Sequence, residues 1–340
     1  MLILPLFIIL VGCELFTNGI EWLGLKLGLA ETATGSVLAA VGTALPETVV
    51  PIIAIVFSGS ASGGEIAEGA ILGAPFMLAT LAMFIGGLSV YIAYRKGRRP
   101  AKLSVSGAHV SLEIKSFLIA YLLAFAAAVV LQYSGDMTPI FRYLIAAVLI
   151  LLYVLYLSRM LKDDSKKCDE PEHLYFNKIM PCEADGPPPM RTVFFQVVAS
   201  LVIIIVGAKI FVGGIEAVAG DLGVPNIILA LLIAPVATEL PEKFNSVLWY
   251  WRGKDTLALG NITGAMVFQS SIPVSIGILF TDWIIDPISM ASMLFAMAAI
   301  SLIFLEMRAF KSVSYKGLLL SGAFYFAYIA LLILSPSLLS

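Results

Sequence analysis

The sequence predicts an all-α integral membrane protein whose ten transmembrane helices form two inverted five-helix repeats. Three observations support this fold class: the composition, the number of long apolar segments and an internal duplication. Of the 340 residues, 60% are hydrophobic and 13% are charged, and the mean hydropathy is +0.97. Soluble globular domains have about 45–50% apolar and about 25% charged residues. The composition therefore excludes an ordinary soluble fold.

Ten apolar segments are each long enough to cross a bilayer, which takes about 20 helical residues. The segments cover residues 2–23, 33–57, 66–94, 113–133, 138–161, 193–219, 226–251, 256–281, 287–307 and 313–334. A hydrophilic stretch, residues 162–191, separates the fifth segment from the sixth. It is predicted to be a linker between a first repeat, residues 1–161, and a second repeat, residues 192–340.

The positions of the lysines and arginines predict the orientation, because cytoplasmic loops carry an excess of both. If the N-terminus lies outside, 18 of the 21 lysines and arginines fall on inner segments. The exceptions are Arg142, Lys209 and Lys243. We therefore expect both termini outside and the linker in the cytoplasm. The formal net charge of −2 identifies no macromolecular partner, and no nucleic-acid binding is expected.

The two halves share an internal repeat. Residues 12–47 align without a gap on residues 207–242, at an offset of 195. Further on, "GAILGAPF" (69–76) corresponds to "GNITGAMV" (260–267), at an offset of 191. Because each repeat has an odd number of helices, five, the first helix of the second repeat enters the membrane from the face opposite to that of the first helix of the first repeat. Inverted repeats of this kind are typical of secondary transporters, which bind their substrate near the midplane on interrupted helices.

Each copy of the repeat ends in a proline followed by a glutamate. Pro46 and Pro241 cannot donate a hydrogen bond to the carbonyls of Gly42 and Ala237, so a break in each helix is expected there. A freed carbonyl at membrane depth is tolerated only where it faces protein or a cavity. It can also bind a cation. The sequence therefore predicts two interrupted helices, each with an acidic residue at the interruption.

These acidic residues, Glu47 and Glu242, are predicted to hold a divalent cation. A charged group at the bilayer centre costs about 2.5–3.5 kcal/mol on insertion scales, so it needs a partner or a wet cavity. The pseudo-twofold axis of an inverted repeat would bring both carboxylates to one central point. Ca²⁺ takes six to eight oxygen ligands from carboxylates, carbonyls and hydroxyls. The hydroxyls of Thr43 and Thr238 would complete the predicted metal site.

Four further polar residues are candidates for counter-ion binding or for hydrogen bonds that support the predicted metal site. Glu239 and Lys243 are four residues apart and can neutralise each other on one helix face, or take part in counter-ion binding. Asn261 and Gln269, on the eighth segment, are expected to act as amide ligands or as hydrogen-bond partners. The formal charges of Glu239, Lys243 and the two ligand glutamates sum to −2, which matches a divalent cation.

One more pair of charged residues is related by the repeat. Glu14 and Lys209 occupy equivalent positions at the offset of 195, in the first and sixth segments. If those two helices cross near the pseudo-axis, Glu14 and Lys209 are predicted to form an ion pair within the membrane.

The motifs "GTALPE" (42–47) and "ATELPE" (237–242), each followed by a glycine-rich helix, resemble the α-repeats of the calcium/cation antiporter superfamily. The similarity is greatest to its prokaryotic sodium/calcium exchanger branch. It implies exchange of Ca²⁺ for Na⁺ or H⁺ by alternating access, without a cofactor, in the cytoplasmic membrane of a prokaryote. It also implies that inorganic cations are the partners. The Thr and Glu of each motif are the family's calcium ligands, which are Thr43, Glu47, Thr238 and Glu242 here.

Several positions depart from the family's pattern. The replacements for its serines and other polar residues are Ala44, Glu239, Ala74, Ala265, Leu78 and Gln269. The resemblance implies that these changes remove oxygen ligands for Na⁺. Two interpretations stay open: Glu239 is the site of a counter-transported proton, or Lys243 occupies a site as a tethered cation.

Two other functional classes can be distinguished from an antiporter. A cation channel could use the same paired glutamates as a selectivity ring, and it would conduct without a counter-ion. An intramembrane hydrolase would need a catalytic motif beside the glutamates. The only two histidines, His109 and His173, lie in predicted cytoplasmic segments, and no HExxH motif is present. The chain is therefore expected not to be an enzyme.

Overall fold

The structure, a computed structural model, describes residues 2–26, 45–57, 60–105, 107–134, 138–162, 173–178 and 188–334. The described part is almost entirely helical, as the sequence predicts. Eight of its helical segments are long and apolar enough to span a membrane. They are Ile3–Ile20, Ser62–Arg95, Gly107–Gln132, Pro139–Met160, Met190–Leu222, Asp255–Phe280, Pro287–Phe310 and Tyr315–Leu334.

Two shorter apolar helical segments, Glu47–Phe57 and Asn226–Val236, correspond to the remaining two predicted spans. The predicted span 33–57 begins in residues outside the described ranges. The predicted span 226–251 is helical throughout, but its second half contains Glu239, Glu242 and Lys243, which lower its hydropathy. These are the two segments that carry the predicted cation ligands.

The helices are numbered in chain order. They are α1 (Ile3–Lys26), α2 (Leu45–Phe57), α3 (Ser60–Met77), α4 (Met83–Arg95), α5 (Gly107–Ser134), α6 (Pro139–Lys162), α7 (Met190–Leu222), α8 (Asn226–Trp251), α9 (Asp255–Gln269), α10 (Ile272–Phe280), α11 (Pro287–Phe310) and α12 (Tyr315–Leu334). A π-helical turn (Leu78–Ala82) joins α3 to α4, and a 3₁₀ turn covers Tyr175–Lys178. The strands β1 (Lys102–Leu103) and β2 (Val313–Ser314) pair antiparallel.

Helix α3 lies at the centre of the bundle and α6 at its edge. In an apolar 18-residue window of the span Ser62–Arg95, 67% of the residues are buried within the protein, against 17% in such a window of Pro139–Met160. Helix α3 packs against α2, α8, α10 and α11, whereas α6 packs mainly against α5 and α10. The exposed side chains of α6, such as Ile140 and Leu151, are apolar, which is the surface expected of a helix that faces lipid.

Helices α1 and α7 pack closely along a seam of small residues. A Cβ atom at Gly12 would lie 2.7 Å from Cγ1 of Ile204, and one at Gly207 would lie 2.9 Å from Cγ1 of Ile9. Both glycines therefore let the facing isoleucine approach the helix backbone, as small residues do between membrane helices. The two contacts are reciprocal, since adding 195 to Gly12 and Ile9 gives Gly207 and Ile204.

Two of the long spans are interrupted near their middle. The π-helical turn Leu78–Ala82 interrupts the α3–α4 span, and Ser270 and Ser271 separate α9 from α10. At the repeat offset of 191, Leu78 corresponds to Gln269, the last residue of α9. The interruptions therefore fall at equivalent positions of the duplicated sequence. A π-helical turn within an α-helix is frequently found at a functional site.

A buried ion pair joins the segment that follows α4 to the start of α9. Nη1 of Arg99 lies 2.7 Å from Oδ1 of Asp255, and Nη2 of Arg99 donates to Oδ2 at 2.8 Å. The Ser104 backbone N–H donates to the same Oδ2 at 2.7 Å. The fork geometry of arginine and the extra donor satisfy the buried carboxylate, so this contact holds the two segments together.

We predict that Gly73→Ala destabilises the protein because α3 and α8 touch through backbone at this position. A Cβ atom at Gly73 would collide with the carbonyl oxygen of Leu231. We expect a loss of about 1–3 kcal/mol, as is typical of overpacking, seen as a lower unfolding temperature in detergent. The matched control is Gly64→Ala on the same helix, where nothing lies within 4 Å of the added methyl. Equal unfolding temperatures for the two variants would contradict this packing.

Candidate cation site

Glu47 lies at the described start of α2 and is buried, with only 5% of its surface exposed. Helix α2 packs against α3, α7 and α8, so the carboxyl group is surrounded by membrane helices. Thr43, the other predicted ligand of this copy, lies outside the described residues. The structure therefore confirms a buried acidic residue here and leaves the Thr43 assignment a prediction.

The second copy of the motif lies on α8. Thr238 is 2% exposed, and its hydroxyl donates to the carbonyl oxygen of Ala234 at 3.0 Å, within its own helix. This hydroxyl still has its lone pairs available as acceptors for a donor or cation. The backbone of Glu242 belongs to α8, but its side chain lies outside the part of the structure that is described.

The predicted break of this helix at Pro241 is wrong, because α8 runs without interruption from Asn226 to Trp251. The carbonyl groups that prolines leave without an N–H donor can be accommodated against a neighbouring helix instead. Pro235 shows how this occurs. The carbonyl four residues before it, that of Leu231, lies directly against Gly73 of α3. A close contact with a glycine backbone therefore replaces the expected opening of the helix.

Glu239 and Lys243 form the predicted ion pair, with Nζ of Lys243 3.4 Å from Oε2 of Glu239. Both side chains are buried, at 1% and 5% exposure respectively. Gln269 joins the pair, since its Nε2 donates to Oε1 of Glu239 at 2.9 Å. One carboxylate oxygen thus has a positive partner and the other has an amide donor. Such partners allow a buried carboxylate to keep its charge away from water.

Asn261 makes a different contact from Gln269. Its Nδ2 donates to the hydroxyl oxygen of Ser246 at 2.8 Å, which ties α9 to α8. Both amides predicted as ligands or hydrogen-bond partners therefore act as hydrogen-bond donors toward α8. Only Gln269 reaches a charged group, because it lies at the end of α9, where the span is interrupted.

The predicted pair of Glu14 and Lys209 is wrong. Oε1 of Glu14 accepts a hydrogen bond from the Tyr175 hydroxyl at 2.9 Å, and Nζ of Lys209 lies 5.0 Å from the ring centroid of Phe57. The α1–α7 seam explains the error. Each charged residue follows the seam glycine by two positions, which is roughly 200° around a helix of 3.6 residues per turn. Both side chains therefore point away from the opposing helix.

Besides Asp255, two buried carboxyl groups of the described residues were not predicted. Glu68 on α3 accepts hydrogen bonds from the Thr281 hydroxyl at 2.7 Å and from the Trp283 backbone N–H at 2.8 Å. Glu113 on α5 accepts a hydrogen bond from the Thr263 hydroxyl of α9. Neither glutamate belongs to the duplicated motifs. Each is visible in the sequence as an acidic residue within an apolar segment. In a membrane protein such a residue indicates either a functional site or a buried hydrogen-bond network.

Comparison with known families identifies the class of protein. The family described as "Sodium/calcium exchanger protein" matches residues 1–162 and 192–335 of this chain. The chain belongs to this family. The match covers both copies of the duplicated motif, and the family consists of transporters rather than catalytic enzymes. The predicted superfamily is therefore confirmed, and with it an integral membrane protein with many apolar helices.

Three relatives show how far the similarity of this exchanger extends. Inner membrane protein YrbG of Escherichia coli K12 is 24% identical over an alignment 342 residues long, gaps included. The alignment covers 99% of this chain and 97% of YrbG. An uncharacterized membrane protein of Methanocaldococcus jannaschii is 22% identical over 289 residues, or 85% and 84% of the two chains. The putative antiporter CaxA of Alkalimonas amylolytica is 28% identical over 127 residues, which cover only 37% of this chain and 40% of CaxA.

Solved structures share the fold of this exchanger. The H⁺/Ca²⁺ exchanger CAX superposes with a TM-score of 0.68 at 20% identity, over 98% of this chain and 80% of CAX. The sodium-calcium exchanger NCX_Mj superposes with a TM-score of 0.54 at 20% identity, over 97% of this chain and 96% of NCX_Mj. At these identities the likeness shows a common fold of polytopic exchangers and does not distinguish their ions.

We predict that Gln269→Leu destabilises this exchanger by about 1.5–3 kcal/mol, the usual value of a hydrogen bond to a charged group. The change removes the donor to Oε1 of Glu239 and leaves that oxygen desolvated. Thermal unfolding in detergent measures the effect. The control is Gln132→Leu, the same substitution at an exposed position near the end of α5, where we expect little change. A Gln269→Leu variant as stable as this control would show that the hydrogen bond contributes nothing.

Proposed function

We propose that this protein is a secondary active antiporter that exchanges Ca²⁺, or a similar divalent cation, for Na⁺ or H⁺ by alternating access. One observation carries the proposal: Glu47, the glutamate of the first copy of the duplicated motif, is buried on a helix that contacts the helix of the second copy, in a member of the exchanger family. The second copy carries Glu242 at the equivalent position of α8. A carboxylate buried within a membrane protein commonly marks an ion path.

The proposed cation ligands are the threonine and the glutamate of each motif. The contact between α2 and α8 supports this assignment because it brings the two motif helices together. The ligand set is Thr43, Glu47, Thr238 and Glu242. Carboxylate and hydroxyl oxygens of this kind suit a hard divalent cation such as Ca²⁺, which tolerates an irregular arrangement of six to eight oxygens.

The proposed architecture is ten transmembrane helices in two inverted repeats, residues 1–161 and 192–340, joined by the linker 162–191. Two features support it. The glycine contacts between α1 and α7 are reciprocal at the offset of 195, as a twofold relation requires. The interruptions of the α3–α4 and α9–α10 spans also fall at equivalent positions of the repeat.

The proposed orientation has both termini outside and the linker in the cytoplasm. The structure brings three segments together on one side: the one after α4, the one between α8 and α9, and the one between α11 and α12. The ion pair of Arg99 with Asp255 joins the first two, and the β1–β2 pairing joins the first and the third. Each of the three contains at least one lysine or arginine, which supports a shared cytoplasmic location.

The proposed moving group is the pair of α1 and α7. Helix α1 makes most of its helix contacts with α7, through the close glycine seam. Two helices that pack tightly with each other and less extensively with the rest can move as one body. Alternating access in inverted-repeat transporters is largely such a movement about a fixed site.

We predict that Glu47→Gln and Glu242→Gln each reduce Ca²⁺ transport at least about tenfold, which corresponds to about 1.4 kcal/mol of lost cation binding. The amide is nearly isosteric with the carboxylate but carries no charge, so the cation loses a ligand charge. The measurement is radiolabelled Ca²⁺ uptake into proteoliposomes under an imposed Na⁺ gradient, and separately under a pH gradient. The control is Asp221→Asn, at an exposed carboxylate near the end of α7.

The same assay separates the two functional classes. An antiporter shows net Ca²⁺ uptake only when Na⁺ or H⁺ moves in the opposite direction. A cation channel would carry current without any counter-ion. Variants of Glu47 and Glu242 that transport as well as the parent would rule out the proposed ligand set, whichever gradient drives uptake.

A further inference from the structure

We propose that Lys243 is a built-in cation of the transport site, which fixes the number of monovalent cations that this protein exchanges for each divalent cation. The inference rests on the proposed function, since it concerns the charge of the same site. Its ammonium group takes the place of one mobile cation beside Glu239. The carboxylate of Glu239 is then unavailable to transported ions while the pair is formed.

The contacts around Glu239 carry the first step of the argument. Both of its oxygens have a positive or polar partner: Lys243 Nζ lies 3.4 Å from Oε2, and Gln269 Nε2 donates to Oε1 at 2.9 Å. The glutamate and the lysine are buried almost completely. A buried charged pair is destabilised strongly if one member is removed, because the other charge is left uncompensated. The pair therefore behaves as a neutral unit.

The position of the pair on one helix carries the second step. Glu239 and Lys243 are four residues apart on α8, so both move with the same rigid element. A conformational change that moves α1 and α7 relative to α8 does not separate them. By contrast, an ion pair between two elements, such as Arg99 with Asp255, can break when those elements move apart. The ammonium thus stays at Glu239 in both conformations and is never released to solvent as an ion would be.

Formal charges carry the third step. With Glu239 and Lys243 neutral as a pair, the site charge is that of Glu47 and Glu242, −2, which one divalent cation balances. Without the ammonium, the site carries −3. A third negative charge in a low-dielectric surrounding strongly favours the binding of a further monovalent cation. The lysine therefore sets the ion count of the transport cycle, in addition to stabilising the fold.

The test removes the ammonium and measures ion coupling. In Lys243→Met, which keeps the length of the side chain, we expect one additional monovalent cation per cycle. It appears in one of two ways. Either the exchange ratio, obtained from the gradient at which Ca²⁺ flux in proteoliposomes reverses, rises by one monovalent cation, or Ca²⁺/Ca²⁺ self-exchange becomes dependent on Na⁺ or on pH.

The matched control is the double variant Glu239→Gln with Lys243→Met. It removes both charges and returns the site to −2, so we expect the parent's exchange ratio and self-exchange. If Lys243→Met does not fold or does not transport, the exchange ratio of the double variant alone tests the inference. Transport with the parent's ratio supports the inference, because the lysine is then needed only to balance Glu239. An inactive double variant, or one with a changed ratio, overturns it.

The possible failures are distinguishable. If the parent shows net Ca²⁺ uptake without any requirement for Na⁺ or H⁺, the proposed function is wrong and this inference with it. If the parent exchanges Ca²⁺ for a counter-ion and Lys243→Met keeps the same ratio and the same self-exchange, the antiporter proposal stands. In that case Lys243 only stabilises the structure, and the inference is overturned.

Discussion

A carboxylate inside a membrane protein must have its charge balanced, because the low-dielectric interior solvates it poorly. The centre of this exchanger is arranged around that requirement. Glu239 meets it within the protein, through Lys243 and the amide of Gln269. Under the proposed function, Glu47 meets it together with Glu242, by binding a cation that arrives from solution. Under the proposed function, the same physical constraint accounts both for one neutral ion pair and for one site that exchanges ions.

Close helix packing brings these groups together. Helix α8 lies against α3 through positions where glycine leaves no side chain, and the Leu231 carbonyl faces Gly73 directly. Because Pro235 cannot donate to that carbonyl, the contact with α3 covers a group that would otherwise be exposed to hydrocarbon. The interruption between α9 and α10 then places Gln269 beside Glu239. Backbone contacts therefore determine where the polar side chains of the site can lie.

Much of the fold could be predicted from the sequence. The apolar segments identified the described spanning helices, and the family was recognisable from the duplicated motifs around Glu47 and Glu242. The pair of Glu239 with Lys243 was also predictable, since a spacing of four residues on a helix brings two side chains together whatever the tertiary structure is. The pair of Glu14 with Lys209 was not, because equivalence under a repeat says nothing about which face of each helix lies toward the symmetry axis.

The sequence by itself determined the local and periodic features: the spans, the polarity of each segment, the repeat and the ion pair within one helix. These depend on neighbours close along the chain. Only the tertiary structure decided that α8 continues through its prolines, that Gln269 reaches Glu239, and that Glu68 and Glu113 are satisfied by hydroxyl or backbone donors of distant segments. Each of these depends on how two helices are rotated and displaced relative to each other. That geometry arises from the packing of many side chains at once, which no single motif encodes.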